Sequence, residues 1–110
     1  ININKFDKNQ NYLVFSGIGN HKTFVKMLKN NEFKIVRDLE YPDHYQYSKK
    51  DLDEIIINAK KNNAHIITTE KDYLRLENFN RNEIRYIKSS LNISEEKNLT
   101  IKLNKLNEKN

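Results

Sequence analysis

Tyr12-Leu13-Val14-Phe15-Ser16-Gly17-Ile18-Gly19-Asn20 is the stretch that decides the fold. An apolar run with no polar alternation suits a strand buried on both faces, as strands are inside a parallel sheet. Both glycines of the chain follow directly, where the backbone must turn sharply into the next element. Gly17-x-Gly19 lacks the third glycine of a dinucleotide fingerprint and reads first as a tight turn. Asn20 stands where a helix N-cap belongs. Phe24, Val25 and Leu28 then share one helical face, and Asn30-Asn31 ends the helix.

Working outward, Phe33 to Leu39 reads as a second strand, with Phe33, Ile35, Val36 and Leu39 apolar. Tyr41-Pro42-Asp43-His44-Tyr45-Gln46-Tyr47-Ser48 follows, holding the only proline and three of the six tyrosines. Pro42 fixes its own φ and pushes Tyr41 out of the helical region, so Asp43-His44 is delivered into a loop. Ser48 and Asp51 then form a capping-box-like pair, and Tyr47 and Leu52 stand where a hydrophobic staple places them. Leu52, Ile55, Ile56 and Ala59 repeat as a buried helical stripe, which Asn62-Asn63 stops.

His65 to Thr68 reads as a third strand, and Thr69-Glu70-Lys71-Asp72 opens a short helix with another capping-box-like pair. Ile84 to Ile87 is a fourth strand. His65 starts its strand, and His21 is expected to be exposed in a first helical turn. Residues 1–11 read as a linker or edge strand, 12–93 as the α/β domain, and 94–110 as a polar tail in which Leu99, Leu103 and Leu106 could form a terminal helix. The alternation of strands and helices predicts an α/β fold: a small, mostly parallel sheet of about four strands flanked by helices.

With 110 residues of which 36% are hydrophobic, the chain is one domain with an economical core. The absence of cysteine excludes a disulfide framework and a thiolate zinc site, and fits a reducing compartment. No apolar run approaches the ~20 residues of a membrane span. Ile1 in place of Met suggests a piece of a longer protein. The net charge of +5 raises the question of nucleic acid. The lysines, however, are scattered among asparagines and isoleucines, as an AT-rich coding sequence would produce, and read as a solvated basic face. No nucleic-acid partner is expected.

In a parallel sheet, the C-terminal ends of the strands share one edge, where such folds bind ligands. Gly17, Gly19 and Asn20 follow the first strand, Asp43, His44 and Tyr47 the second, and Thr68, Thr69, Glu70, Lys71 and Asp72 the third. His44 is the side chain best poised for proton transfer near neutral pH. Lys71 and the helix N–H groups around it suit an anion such as phosphate, or serve only as a cap with a solvated lysine. No metal site is predicted, and no Gly-x-x-x-x-Gly-Lys-Ser/Thr cradle is present.

Together Phe15-Ser16-Gly17-Ile18-Gly19-Asn20, Tyr41-Pro42-Asp43-His44 with Tyr47, and Thr68-Thr69-Glu70-Lys71-Asp72 with Leu76 resemble the C-terminal region of the tetraacyldisaccharide 4′-kinases, across residues 12 to 88. The resemblance implies a Rossmann-like half of a P-loop-type kinase that phosphorylates the 4′-hydroxyl of a lipid A disaccharide precursor. It implies ATP and Mg2+ held mainly by a missing N-terminal half, and a peripheral place at the cytoplasmic face of the inner membrane; the chain itself is expected to be a monomer. It also implies that His44 assists a catalytic aspartate of the other half. Asp43 either orients the imidazole or bonds the loop backbone. His21 departs from the family pattern, which commonly has proline there, and the fragment alone is expected to be inactive. The alternatives are a basic α/β module that binds nucleic acid or a partner without catalysis, and a metal-dependent nuclease-like domain using Asp43, Glu70 and Asp72.

Overall fold

A computed structural model describes Asp7 and residues 9–88. The strands are β1 (Asn11–Ser16), β2 (Lys34–Glu40), β3 (Ala64–Thr69) and β4 (Ile84–Ile87). The helices are α1 (His21–Asn30), α2 (Lys49–Lys61) and α3 (Glu70–Arg75). All pairings are parallel, in the order β2-β1-β3-β4. The expected α/β class and the fourth strand's bounds hold, while β1 starts one residue earlier than expected, at Asn11. The terminal-helix reading of Leu99, Leu103 and Leu106 lies outside the described residues.

β1 is central because it is apolar on both faces. Tyr12, Leu13, Val14 and Phe15 are each fully buried. Tyr12 and Val14 join Phe24, Leu28, Phe33, Ile67 and Ile87 on the α1 side. Leu13 and Phe15 join Leu52, Ile55, Ala59, Ile66 and Ile84 on the α2 side. Ile55 is fully buried, and truncating such a residue to alanine typically costs ~2–5 kcal/mol. Val36, one of the apolar residues of the second strand, is 38% exposed. The register slips between Tyr12, opposite Ile35, and Leu13, opposite Arg37, so Val36 has no partner in β1.

The start of α2 follows the expected chemistry. The Ser48 hydroxyl accepts from Asp51 N–H at 3.1 Å, and Asp51 accepts from Ser48 N–H at 2.9 Å, closing a capping box. The α1 start does not follow it. Asn20 occupies the cap position but makes no side-chain cap bond, and only its carbonyl joins the helix, through Phe24 N–H at 3.0 Å. The helix is held instead by its apolar face, to which His21 also belongs. At α2's other end Asn63 takes a positive φ of 51°, the left-handed turn asparagine tolerates best after glycine.

α1 packs on one face of the sheet, and α2 and α3 on the other. Neighbouring strands β1 and β3 therefore send their chains to opposite faces. Their C-terminal ends flank the crevice at which open α/β sheets bind ligands.

Candidate functional site

The loop after β2 is fixed by backbone bonds and rings. Tyr41 N–H extends the β1 ladder to Ser16 carbonyl at 2.9 Å, His44 N–H donates to Gly17 carbonyl at 3.0 Å, and Tyr45 N–H to Pro42 carbonyl at 3.0 Å. Tyr41 and Tyr45 stack at 4.9 Å between centroids, and Tyr47 meets Tyr41, Tyr45 and Phe15 edge-on. Edge-to-face and offset-stacked rings each contribute ~0.5–1.5 kcal/mol beyond area burial. Burial pushes the Tyr41 hydroxyl up to about 12, with help from the charge of Asp51. His44 closes the loop at a positive φ of 62°, a conformation that costs a non-glycine residue free energy unless its surroundings enforce it.

Asp72 joins this loop to the other two. Its carboxylate is fully buried. Oδ1 accepts from Gly17 N–H at 2.9 Å and Tyr47 hydroxyl at 2.8 Å, and Oδ2 from Thr69 hydroxyl at 2.6 Å. Thr69 in turn accepts from Asp72 N–H at 3.1 Å. The expected cap is real on the threonine side, but the aspartate turns away from the helix to serve Gly17 and Tyr47. Burial raises the Tyr47 hydroxyl's pKa, as do the charge of Asp72 and the bond to it, so this phenol remains a donor.

Arg75, one helical turn after Asp72, completes the network. Nη1 donates to Gly17 carbonyl at 2.9 Å and lies 3.4 Å from Asp72 Oδ1, while Nη2 is 3.3 Å from His44 Nδ1. The His44 side chain is 81% exposed and its Nε2 is 3.7 Å from Asp43 Oδ2. The result is an open imidazole on a buried, fully bonded base.

The expected turn is present between β1 and α1, but neither glycine takes a positive φ there. Gly17 is required by closeness instead. A Cβ there would lie 3.0 Å from Pro42 carbonyl oxygen, 3.1 Å from Tyr47 hydroxyl oxygen and 3.3 Å from Asp72 Oδ1. At Gly19 the nearest atom, Asp43 Oδ2, would be 3.6 Å away, an ordinary contact.

Of the residues singled out from sequence, Gly17, Asp43, His44, Tyr47, Thr69 and Asp72 converge, with Gly19 facing Asp43. Asn20 is exposed at the start of α1, Lys71 is exposed on α3, and Glu70 is half-buried. Thr68 is buried and donates to Phe15 carbonyl at 2.7 Å, tying β3 to β1. His21 is 2% exposed rather than solvated. Nδ1 meets Ser16 hydroxyl at 2.5 Å and Nε2 meets Asp38 Oδ1 at 3.0 Å. Its spacing to Phe24, Val25 and Leu28 (i+3, i+4, i+7) was the available signal. Arg75 was foreshadowed only by its i+3 relation to Asp72.

The donors at this edge do not fit a divalent cation. The oxygens of Asp72 are committed inward, and no group of three acidic or histidine side chains converges among the described residues. The nuclease-like reading of Asp43, Glu70 and Asp72 fails on that ground. A separate groove of about 560 Å3, lined by Leu52, Ile56 and Phe79 with Lys49, Asp53 and Glu83, shares no residue with the edge. Among the described residues, no helix is long and apolar enough to cross a membrane.

Fold and edge together define a small Rossmann-like α/β unit, the kind that forms one half of a P-loop-type kinase. The family model described as tetraacyldisaccharide-1-P 4′-kinase matches residues 2–108. A tetraacyldisaccharide 4′-kinase of Pelagibacter ubique (strain HTCC1062) is 84% identical over 110 residues, covering 100% of this chain and 35% of that protein. Those of Rickettsia bellii (strain OSU 85-389) and Rickettsia canadensis (strain McKiel) are 50% and 46% identical over 64% and 73% of this chain, which correspond to 22% and 25% of their own lengths. No solved structure matches. The chain belongs to the tetraacyldisaccharide 4′-kinase family. It spans about a third or less of the length of these relatives (35% at most).

Proposed function

We propose that this chain is the C-terminal half of a kinase that transfers the γ-phosphoryl group of ATP to the 4′-hydroxyl of a tetraacyldisaccharide 1-phosphate in lipid A biosynthesis. ATP and Mg2+ are held mainly by the N-terminal half, at the cytoplasmic face of the inner membrane. The sugar oxygen bonds to the γ-phosphorus as the bond to ADP breaks, and the hydroxyl proton passes to an aspartate of the other half, which His44 assists.

The observation that supports this most is His44 itself. It is an exposed imidazole held at positive φ on a rigid base at the ligand-binding edge. Phosphoryl transfer depends on positioning and charge control, and a group presented by one half completes the site only when the halves meet.

In the full-length enzyme, His44→Ala is expected to lower kcat about 10²-fold, the low end for positioned acid–base groups. The KM for ATP should be nearly unchanged, because the other half holds the nucleotide. Folded variant with wild-type kcat at saturating lipid removes His44 from the mechanism.

A further inference from the structure

A neutral imidazole carries its proton on one nitrogen, and the contact made by the other decides which. Nδ1 of His44 lies 3.3 Å from Nη2 of Arg75. A guanidinium has only donors and does not lose its charge in proteins. In this contact Nδ1 must therefore accept, which puts the proton on Nε2.

The guanidinium is not free to swing away. Its other nitrogen donates to Gly17 carbonyl at 2.9 Å and lies 3.4 Å from the fully buried Asp72. Because the group is planar and rigid, pinning Nη1 also directs Nη2. Gly17 carbonyl accepts His44 N–H as well, at 3.0 Å, so one peptide oxygen sets both the loop backbone and the arginine that reads its side chain.

We infer that Arg75 is a positioning residue that fixes the tautomer of His44, so that Nε2 presents an N–H rather than a lone pair. This deepens the function proposed above and rests on it. His44 then acts as a hydrogen-bond donor toward the carboxylate that takes the hydroxyl proton, and does not take that proton itself. Asp43 Oδ2, at 3.7 Å from Nε2, is beyond hydrogen-bond reach and leaves that N–H for the cleft.

The test uses the full-length enzyme with 15N-labelled histidine, at alkaline pH where imidazoles are neutral. The His44 ring is expected to show Nε2 protonated and Nδ1 as a hydrogen-bonded acceptor. In Arg75→Met both nitrogen signals should move to the tautomer mixture of a free imidazole. Arg75→Lys retains a charge for Gly17 carbonyl and Asp72 but has no second prong. It should keep the melting temperature and still lose the tautomer signature, so it carries the test if Arg75→Met does not fold. Protonated Nδ1 in the wild type, or His44 signals unmoved in the folded variants, overturns the inference.

Kinetics separate this inference from the function it rests on. Arg75→Lys should lower kcat about tenfold, less than the roughly 10²-fold typical of a misplaced catalytic group, and should cost nothing further in a His44→Ala background. A full additional loss in that background means Arg75 acts elsewhere. His44→Ala without effect removes the proposed role of His44, whereas the tautomer measurement stands by itself.

Discussion

The Ser16 hydroxyl lies 2.5 Å from Nδ1 of His21, whose Nε2 reaches Asp38 Oδ1 at 3.0 Å. A histidine in the first turn of α1 thus ties the end of β1 to β2. The residue types are those of a hydrolytic triad, but Ser16 is fully buried and no substrate can reach it, so the string is structural. His21→Leu should cost ~1–3 kcal/mol, because it leaves a buried hydroxyl unpaired. Pairing it with Ser16→Ala should recover part of that loss, since removing both partners is cheaper than removing one. Urea midpoints of the single and double variants decide it, and strictly additive losses would sink the account.

Gly17 and Gly19 should respond differently to the same substitution. At Gly17 the new methyl meets a carbonyl oxygen and the hydrogen-bonded Tyr47 and Asp72 groups, with little room to yield. Gly17→Ala should destabilise by ~1–3 kcal/mol, as overpacking does, and should blunt activity of the full enzyme by shifting the His44 loop. Gly19→Ala meets only ordinary contact at a residue without positive φ. It should be neutral or stabilise by up to about 1 kcal/mol. Thermal melts of both variants check the contrast.

The α2 cap should respond to acid. Partial burial pushes the Asp51 carboxyl up, but the Ser48 N–H, the Tyr45 hydroxyl and the Ser48 hydroxyl outweigh it and hold it below its ordinary value of 3.8. The folded chain therefore takes up this proton less readily than the unfolded chain. The resulting stability is complete above the ordinary value and is lost as pH falls through the depressed folded one. Ser48→Ala should cost ~0.5–2 kcal/mol at neutral pH and should remove only the hydroxyl's share of the acid dependence. Removing the carboxylate itself, in Asp51→Asn, should flatten stability against pH below about 4. An identical acid profile in Asp51→Asn would show that this carboxylate does not carry the acid dependence.

The 110-residue chain by itself should neither hydrolyse ATP nor phosphorylate lipid. The motivation is the donor set at its edge, where the buried carboxylate is committed to Gly17, Tyr47 and Thr69. Enzyme-dependent release of ADP by the purified chain would show that the division of labour between halves is wrong.

Signals carried within one or two turns of chain were legible in the sequence. The Tyr12–Phe15 run, the Ser48–Asp51 cap and the stops at Asn31 and Asn63 each express a local rule, and the structure keeps them. Strand order, the burial of His21 and the inward turn of Asp72 depend on which segments meet, which no local rule contains. Gathering the motifs after each strand on one edge worked because parallel topology alone dictates it. Arg75 was missed because an arginine on a short helix reads as a solvated charge, and only the neighbouring strand ends reveal what it holds.

Asp72 lies 55 positions beyond Gly17 and 25 beyond Tyr47, which bears on when the edge comes into being. A chain leaving the ribosome as far as α2 already has the glycine turn and the Asp-His loop, but not the acceptor that joins them. Contacts this distant in sequence form late, after loop closure has been met by strand pairing. During synthesis the His44 loop can already bond to Ser16 and Gly17, but the Asp72 and Arg75 contacts wait until β3 has docked beside β1. An enzyme stalled or cut before that point carries the histidine without the side chains that hold it from the far side.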